Sequence, residues 1–284
     1  MSGYENREVP EGINVSPTHP LKDFVLLVGG ISAVILVAVL ALSLLAGQLA
    51  RHIPFAQEQA LAASFSRWLP AAPAKPGERQ RRDYLQALAN GLAADMQLPP
   101  GMTLTVHYAD SDTVNAMATL GGHIVVFQGL IDTLPSENAL AMVLAHEIAH
   151  IRHRDPVVAM GRGFAVALAL ASFSGVGDGA LQQWLGGVGM LPILSFSRAQ
   201  EEAADAAALQ AVLQRYGHVG DAAAFFEEVA RRQSMPSGPT LLQTHPDTEQ
   251  RIAAIREFAA RHGTANPSPA IALPAFMRAG ATPD

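Results

Sequence analysis

The sequence predicts an α+β protein, mostly helical with a small β-sheet, preceded by one transmembrane helix. Three observations carry that class. A long uncharged stretch lies near the start of the chain, apolar residues recur at helical spacing through most of the remainder, and two short segments alternate as strands do. The 284 residues suit one or two domains. Lys plus Arg total 19 and Asp plus Glu total 25, a formal net charge of −6 that excludes a nucleic-acid binder held by a basic surface. Only 15% of residues are charged and 49% are hydrophobic, which excludes a disordered chain. Cysteine is absent, so any metal site must be built from His and carboxylate.

Residues 1–23 are polar, contain Pro10, Pro17 and Pro20, and read as a flexible tail. Residues 24–50 read as the transmembrane helix and the chain's link to a lipid bilayer. Phe24 to Gly47 carries no charge, and at about 1.5 Å per residue it reaches roughly 36 Å, enough to cross about 30 Å of hydrocarbon. A cleaved signal peptide would start basic, whereas Glu5, Glu8, Glu11 and Asp23 precede this stretch. Orientation is a tie by charge, with Arg7 and Lys22 on one side and Arg51 and Arg67 on the other.

Residues 51–76 read as a juxtamembrane helix and a Pro/Ala linker, and residues 77–262 as the folded domain. Tyr84, Leu85, Leu88 and Leu92 give a helix over 78–96, broken by Pro99, Pro100 and Gly101. Thr103 to Tyr108 and His123 to Phe127 are the expected strands, the second entered through Gly121 and Gly122. Ser136 is the expected N-cap of a helix running through Leu140, Val143, Leu144 and Ile148 to about Arg154, where Asp155-Pro156 should stop it. Residues 163–173 and 185–194 are apolar, Gly-broken and too short to cross a bilayer. They can cover the core or lie in the membrane interface, and the Gly-rich 174–189 stretch can serve as a lid. Helices are expected over 197–216, 221–233 and 247–262, and residues 263–284, with Pro267, Pro269, Pro274 and Pro283, as a disordered tail.

The chemistry centres on His146-Glu147-Ile148-Ala149-His150. Side chains at i and i+4 share one helical face with Cβ atoms roughly 5–6 Å apart, a spacing at which two imidazoles converge on one Zn²⁺. Glu147 lies about 100° round the helix, where its carboxylate reaches a water rather than the metal. A catalytic zinc normally takes three protein ligands, so a third must come from further along. The candidates are Glu201, Glu202, Asp205, His218 and His245. Glu201 and Asp205 share a helix face, which suits Glu201 on the metal and Asp205 on the outer N–H of a ligand histidine; the same spacing suits an ordinary acidic face.

The string His146 to Asp155 resembles the zinc-helix motif of the HtpX-like and BepA/LoiP-like zinc metallopeptidases, gluzincins related to the CaaX prenyl endopeptidase. Ser197-Arg198-Ala199-Gln200-Glu201-Glu202-Ala203-Ala204-Asp205 resembles their second motif. Asn115-Ala116-Met117-Ala118 with Gly121-Gly122-His123-Ile124 resembles their strand and glycine turn, and Thr244-His245-Pro246 with Arg251-Ile252 their last segment. The resemblance spans roughly residues 78–262 and implies a minigluzincin-like fold. It also implies one Zn²⁺ per chain on His146, His150 and Glu201, with Glu147 as general base. Asp205 would support a ligand histidine, Arg198 would be an ion-pair partner within the second motif, with Asp205 one candidate, and His245 would sit near the zinc as a donor or a plug. His153 departs from the HtpX pattern, and that family's several spans are one here. The implied activity is a membrane-anchored endopeptidase with its catalytic domain on the periplasmic side. Unfolded or flexible envelope and membrane proteins would be its substrates, added as an extra strand along residues 115–119. The rival is a membrane-tethered, non-catalytic zinc-containing chaperone or binding module.

Overall fold

In the computed structural model the described residues are 20–73, 75–174, 196–232, 248–262 and 269–280. The apolar stretch forms one helix, α1 (Pro20–Ala50), with large apolar side chains exposed along its length. A short turn leads to α2 (Phe55–Ser64) and then to α3 (Pro76–Asp95), whose Leu85, Leu88, Ala89 and Leu92 are buried at helical spacing. Three strands follow: β1 (Thr105–Ala109), β2 (Ala116–Thr119) and β3 (His123–Phe127). They lie in the order β1-β3-β2, with β1 parallel and β2 antiparallel to β3, so β2 is an edge. Between β2 and β3, Gly121 and Gly122 both take positive φ, at 73° and 82°. A side chain on Gly122 would put its Cβ 2.0 Å from the carbonyl oxygen of Thr103.

After α4 (Gln128–Thr133) comes α5 (Glu137–His153), capped by the Ser136 hydroxyl, which accepts from the backbone N–H of Ala139 at 3.2 Å. Every residue of α5 from Asn138 to Ile151 is buried, so this helix is the axis of the domain. Its alanines let α7 (Arg198–Tyr216) approach closely through Ala204, Ala208 and Ala211. α8 (Ala224–Arg232) and α9 (Thr248–His262) complete the helical layer, with Phe225, Phe226, Ile255 and Phe258 in the core. The observed class is the expected one, mostly helical with a three-stranded sheet.

Two expectations are corrected. The zinc-motif helix does stop at residue 154, but through Arg154 in the left-handed conformation (φ 66°). Asp155-Pro156 then starts a new helix, α6 (Asp155–Ser174), rather than a loop, because proline near a helix N-terminus loses no intrahelical bond. The apolar residues 163–173 belong to that continuous helix, which lies along α1. The juxtamembrane helix expected within 51–76 is α2, which buries Glu58 and Ala62; the Glu58 carboxylate accepts from Gly121 N–H at 2.8 Å and pairs with Arg154 at 3.0 Å.

The tail is the second correction. Within 263–284, residues 269–280 form a strap over the core. Leu273 and Met277 are buried, Ile271 O accepts from Glu137 N–H at 2.8 Å, and Arg81 donates to the carbonyls of Phe276 (2.7 Å) and Arg278 (2.8 Å). The prolines suit an extended path, and apolar residues between them supply the burial. The stretches 185–194 and 174–189 fall outside the described residues, Ser174 excepted.

Candidate metal centre

α5 presents His146 and His150 on one face, both buried, with their Nε2 atoms 3.0 Å apart and the rings nearly perpendicular. From α7, Glu201 brings its oxygens to 3.4 Å from His146 Nε2 and 3.6 Å from His150 Nε2. Ligand atoms of these three residues all lie within 4.8 Å of one another. Each histidine is oriented from its far side by a carboxylate. Asp205 Oδ1 lies 2.9 Å from His146 Nδ1, and Asp155 Oδ2 lies 2.8 Å from His150 Nδ1. A carboxylate on Nδ1 fixes the tautomer that turns Nε2 towards a metal. Phe196 stacks on the His150 ring at 4.1 Å between centroids.

Charge tests the fit. Glu147, Asp155, Glu201 and Asp205 are all buried, and the buried guanidinium of Arg251 meets Glu201 and Asp205. Arg251 reaches in from α9 with Nε 2.7 Å from Asp205 Oδ2, one terminal nitrogen 3.0 Å from Glu201, and the guanidinium 4.3 Å over the Phe226 ring. Four carboxylates buried around two imidazoles concentrate negative charge that a buried site must balance. A dication between two facing Nε2 atoms and a carboxylate does so, and the nitrogen and oxygen donors suit zinc.

The pKa shifts report the same crowding. Burial and Arg251 press the His146 ring towards neutrality, but the carboxylates of Asp205 and Glu201 outweigh both and raise it to about 9. Burial works to raise Asp205, and its bonds to Arg251 and His146 outweigh that, lowering it to about 2.

Glu147, one residue round from His146, is buried on the side facing the sheet. Its Oε2 accepts from the Ala118 backbone N–H at 2.6 Å. The outer edge of β2 therefore runs past this carboxylate, with Ala116, Met117 and Ala118 on the strand and Asn115, also buried, just before it.

The other sequence candidates separate cleanly. Glu202 is exposed on α7, and His218 is buried elsewhere, its Nδ1 accepting from Gly220 N–H at 3.0 Å. His153 is half-buried, and burial lowers its pKa. His245 lies outside the described residues. Arg251 of α9 donates to both Asp205 oxygens, and Arg198 is exposed about two turns earlier on α7. Sequence reasoning missed the roles of Asp155, Phe196, Phe226 and Arg251. Asp155 and Arg251 stood inside the matched motifs, but only tertiary packing shows what they touch.

A two-histidine helix, a carboxylate third donor on a second helix and a buried glutamate beside them define the class: a His-Glu-x-x-His metal centre of the gluzincin type. Peptidase family M48 matches residues 79–259, and the chain belongs to that family. Among its relatives, the mitochondrial metalloendopeptidase OMA1 of Schizosaccharomyces pombe is 33% identical over 156 residues, 54% of this chain and 46% of that protein. The beta-barrel assembly-enhancing protease of Escherichia coli is 34% identical over 166 residues, 53% of this chain and 33% of that protein. The metalloprotease LoiP of Escherichia coli is 29% identical over 187 residues, 64% of this chain and 72% of that protein. The chain thus spans less than half the length of the first two.

Proposed function

We propose that this chain is a zinc metalloendopeptidase anchored in the cell membrane by α1, with its catalytic domain on the periplasmic side. Unfolded or flexible segments of envelope and membrane proteins are its substrates. The observation that carries the reading is the pair of Nε2 atoms at 3.0 Å, closed by Glu201 and flanked by the buried Glu147. The relatives' names, two of them metalloendopeptidase or metalloprotease, support the same activity.

One zinc per chain, on His146, His150 and Glu201, would polarise the scissile carbonyl and acidify the attacking water. Glu147 receives the proton from that water and delivers it to the leaving amine. Ala118 N–H holds the Glu147 carboxylate at the strand edge. Asp205 and Asp155 fix the two imidazoles, and Arg251 fixes Asp205 and Glu201. An extended substrate adding to the edge of β2 is recognised through its backbone, which demands an unfolded segment and reads little of its sequence. His245 completes the reading as a donor to the developing oxyanion.

The test compares the full chain with Glu147→Gln, at equal bound zinc, on an unfolded protein substrate. The amide retains an acceptor for Ala118 N–H but cannot take a proton, so activity should fall by about 10²–10⁴. Equal cleavage would refute the assignment of the base. No cleavage by either zinc-loaded protein would favour the non-catalytic binding module.

A further inference from the structure

We infer that α6 is a second membrane-embedded helix. It enters the bilayer beside α1 from the catalytic-domain side, with lipid acyl chains against Phe164, Val166 and Leu168; the inference rests on the anchoring of α1 proposed above. The two helices run antiparallel. A Cβ on Gly161 would meet the Ala46 carbonyl oxygen and the Ala50 Cβ at 3.0 Å, and one on Gly47 would meet Arg162 Nε at 2.8 Å. Such close backbone approach is how helices associate where lipid removes the hydrophobic drive.

The charges of the two helices end within about two turns of each other. α1 is uncharged from Phe24 to Ala50, with Arg51 next, and Arg162 of α6 packs against Gly47. Beyond Arg162 the chain carries no charge through Gly177. On this uncharged side Phe164 is 44% exposed and Leu168 49%, as bare as their level on α1, where Leu40 and Leu44 are 54% and 60% exposed. Water would leave an apolar surface continuous over two helices, of the kind that marks a membrane or protein contact. Continuity with the anchor commits it to lipid.

The polar groups conform as well. The Ser172 hydroxyl donates to the Leu168 carbonyl at 2.8 Å, and the Ser43 hydroxyl donates to the Arg162 carbonyl at 3.4 Å. Both are satisfied by backbone, as hydrocarbon requires. From Gly163 to Ser174 the helix rises about 17 Å, enough to reach about half the depth of a hydrocarbon layer of about 30 Å. Asp155, which orients His150, lies seven residues before Arg162, so the centre stands about 10 Å outside the hydrocarbon boundary.

The absence of cysteine makes the test direct. Single-cysteine variants Phe164→Cys and Leu168→Cys of the full chain are labelled with an environment-sensitive fluorophore. They are then reconstituted into phosphatidylethanolamine/phosphatidylglycerol vesicles, beside Leu40→Cys on α1 and Glu257→Cys on the exposed face of α9. Nitroxides on the acyl chains should quench positions 164 and 168 to within about twofold of position 40, leaving position 257 to aqueous iodide. If 164 and 168 follow 257 while 40 is quenched by lipid, α6 lies in water and the inference fails. Shielding of 164 and 168 from both quenchers would replace lipid by protein, a second copy or another segment of the chain, and also overturns it. If position 40 too escapes lipid quenching, the anchoring reading falls with it.

Discussion

At the scale of single residues, the centre is held by groups that never touch a substrate. Asp155 accepts from His150 Nδ1 and is itself bonded by Gln200 Nε2 at 2.5 Å, so its orientation is fixed from α7. Asp155→Asn should lower zinc affinity by about 10–100-fold with little change in fold, measured by competition with a chelator. An unchanged affinity would leave Asp155 as a helix start only. Arg251 differs in kind, because it neutralises two buried carboxylates at once. In the metal-free protein Arg251→Ala should cost about 3–5 kcal/mol in urea unfolding, since it removes the guanidinium that pairs with both Asp205 and Glu201. Arg251→Lys should recover part of that, the ammonium lacking the fork that spans both Asp205 oxygens. The motif His146–His150 was legible in the sequence because both ligands lie one turn apart on one helix. Arg251 was not, because its contacts with Asp205 span 46 positions and with His146 105 positions. No local pattern carries a pairing at that distance.

At the scale of elements, the sheet and its turn set the strand that lies along Glu147. Gly122→Ala should destabilise the protein by several kcal/mol, because the left-handed backbone and the clash with Thr103 O act together. Gly101→Ala is the control: its φ is 84° but nothing lies within 4 Å of the added Cβ, so backbone strain alone should cost about 1–3 kcal/mol. Equal losses would show that the close approach of the Gly122 backbone to Thr103 is immaterial.

On the sheet's other face His107 Nε2 and His123 Nδ1 lie 3.0 Å apart. Burial is the largest cause lowering both below the ordinary 6.5, with His123 and then Arg82 adding to it at His107. A base with a lowered native pKa binds fewer protons folded than unfolded, so stability falls as pH drops from about 6.5 towards the native values and is unaffected above that window. The His107→Gln/His123→Gln double variant should therefore show a flatter unfolding free energy than the wild type between about pH 7 and 5. Parallel curves would refute the assignment. Most helices were legible as periodic patterns. α6 was not, since Asp155-Pro156 reads as a stop and Gly163 as a break, whereas in the fold the helix starts at the first and runs through the second, and Gly161 is the point at which it meets α1.

At the scale of the whole molecule, α5 is gripped at both ends by segments remote from it in sequence. At its C-terminal end, Arg154 pairs with Glu58 of α2 and donates to the carbonyl of Ile53, joining the motif helix to the chain that leaves the anchor. At its N-terminal end, the strap contributes the Ile271 carbonyl to Glu137 N–H, while Asn138 Oδ1 accepts from Ile271 N–H at 2.8 Å. Composition concealed the strap, since proline-rich sequence reads as disorder until something is shown to bury the residues between the prolines. The consequence is a coupling between chain end and metal centre. A chain ending at His262 loses the burial of Leu273 and Met277, worth about 1.5–3 kcal/mol each. It also strands the Arg81 guanidinium, whose partners include the carbonyls of Phe276 and Arg278. Set against a typical total of 5–15 kcal/mol, that loss is a large share of the stability. The truncated chain should therefore unfold at markedly lower urea and release zinc in the same transition, because the helix that carries His146 and His150 loses its N-terminal grip. The full chain with Met277→Ala should show a smaller shift in the same direction, which separates lost packing from a general effect of shortening. If truncation left the urea midpoint and zinc retention unchanged, the strap would be an ornament on a domain that residues 77–262 complete by themselves.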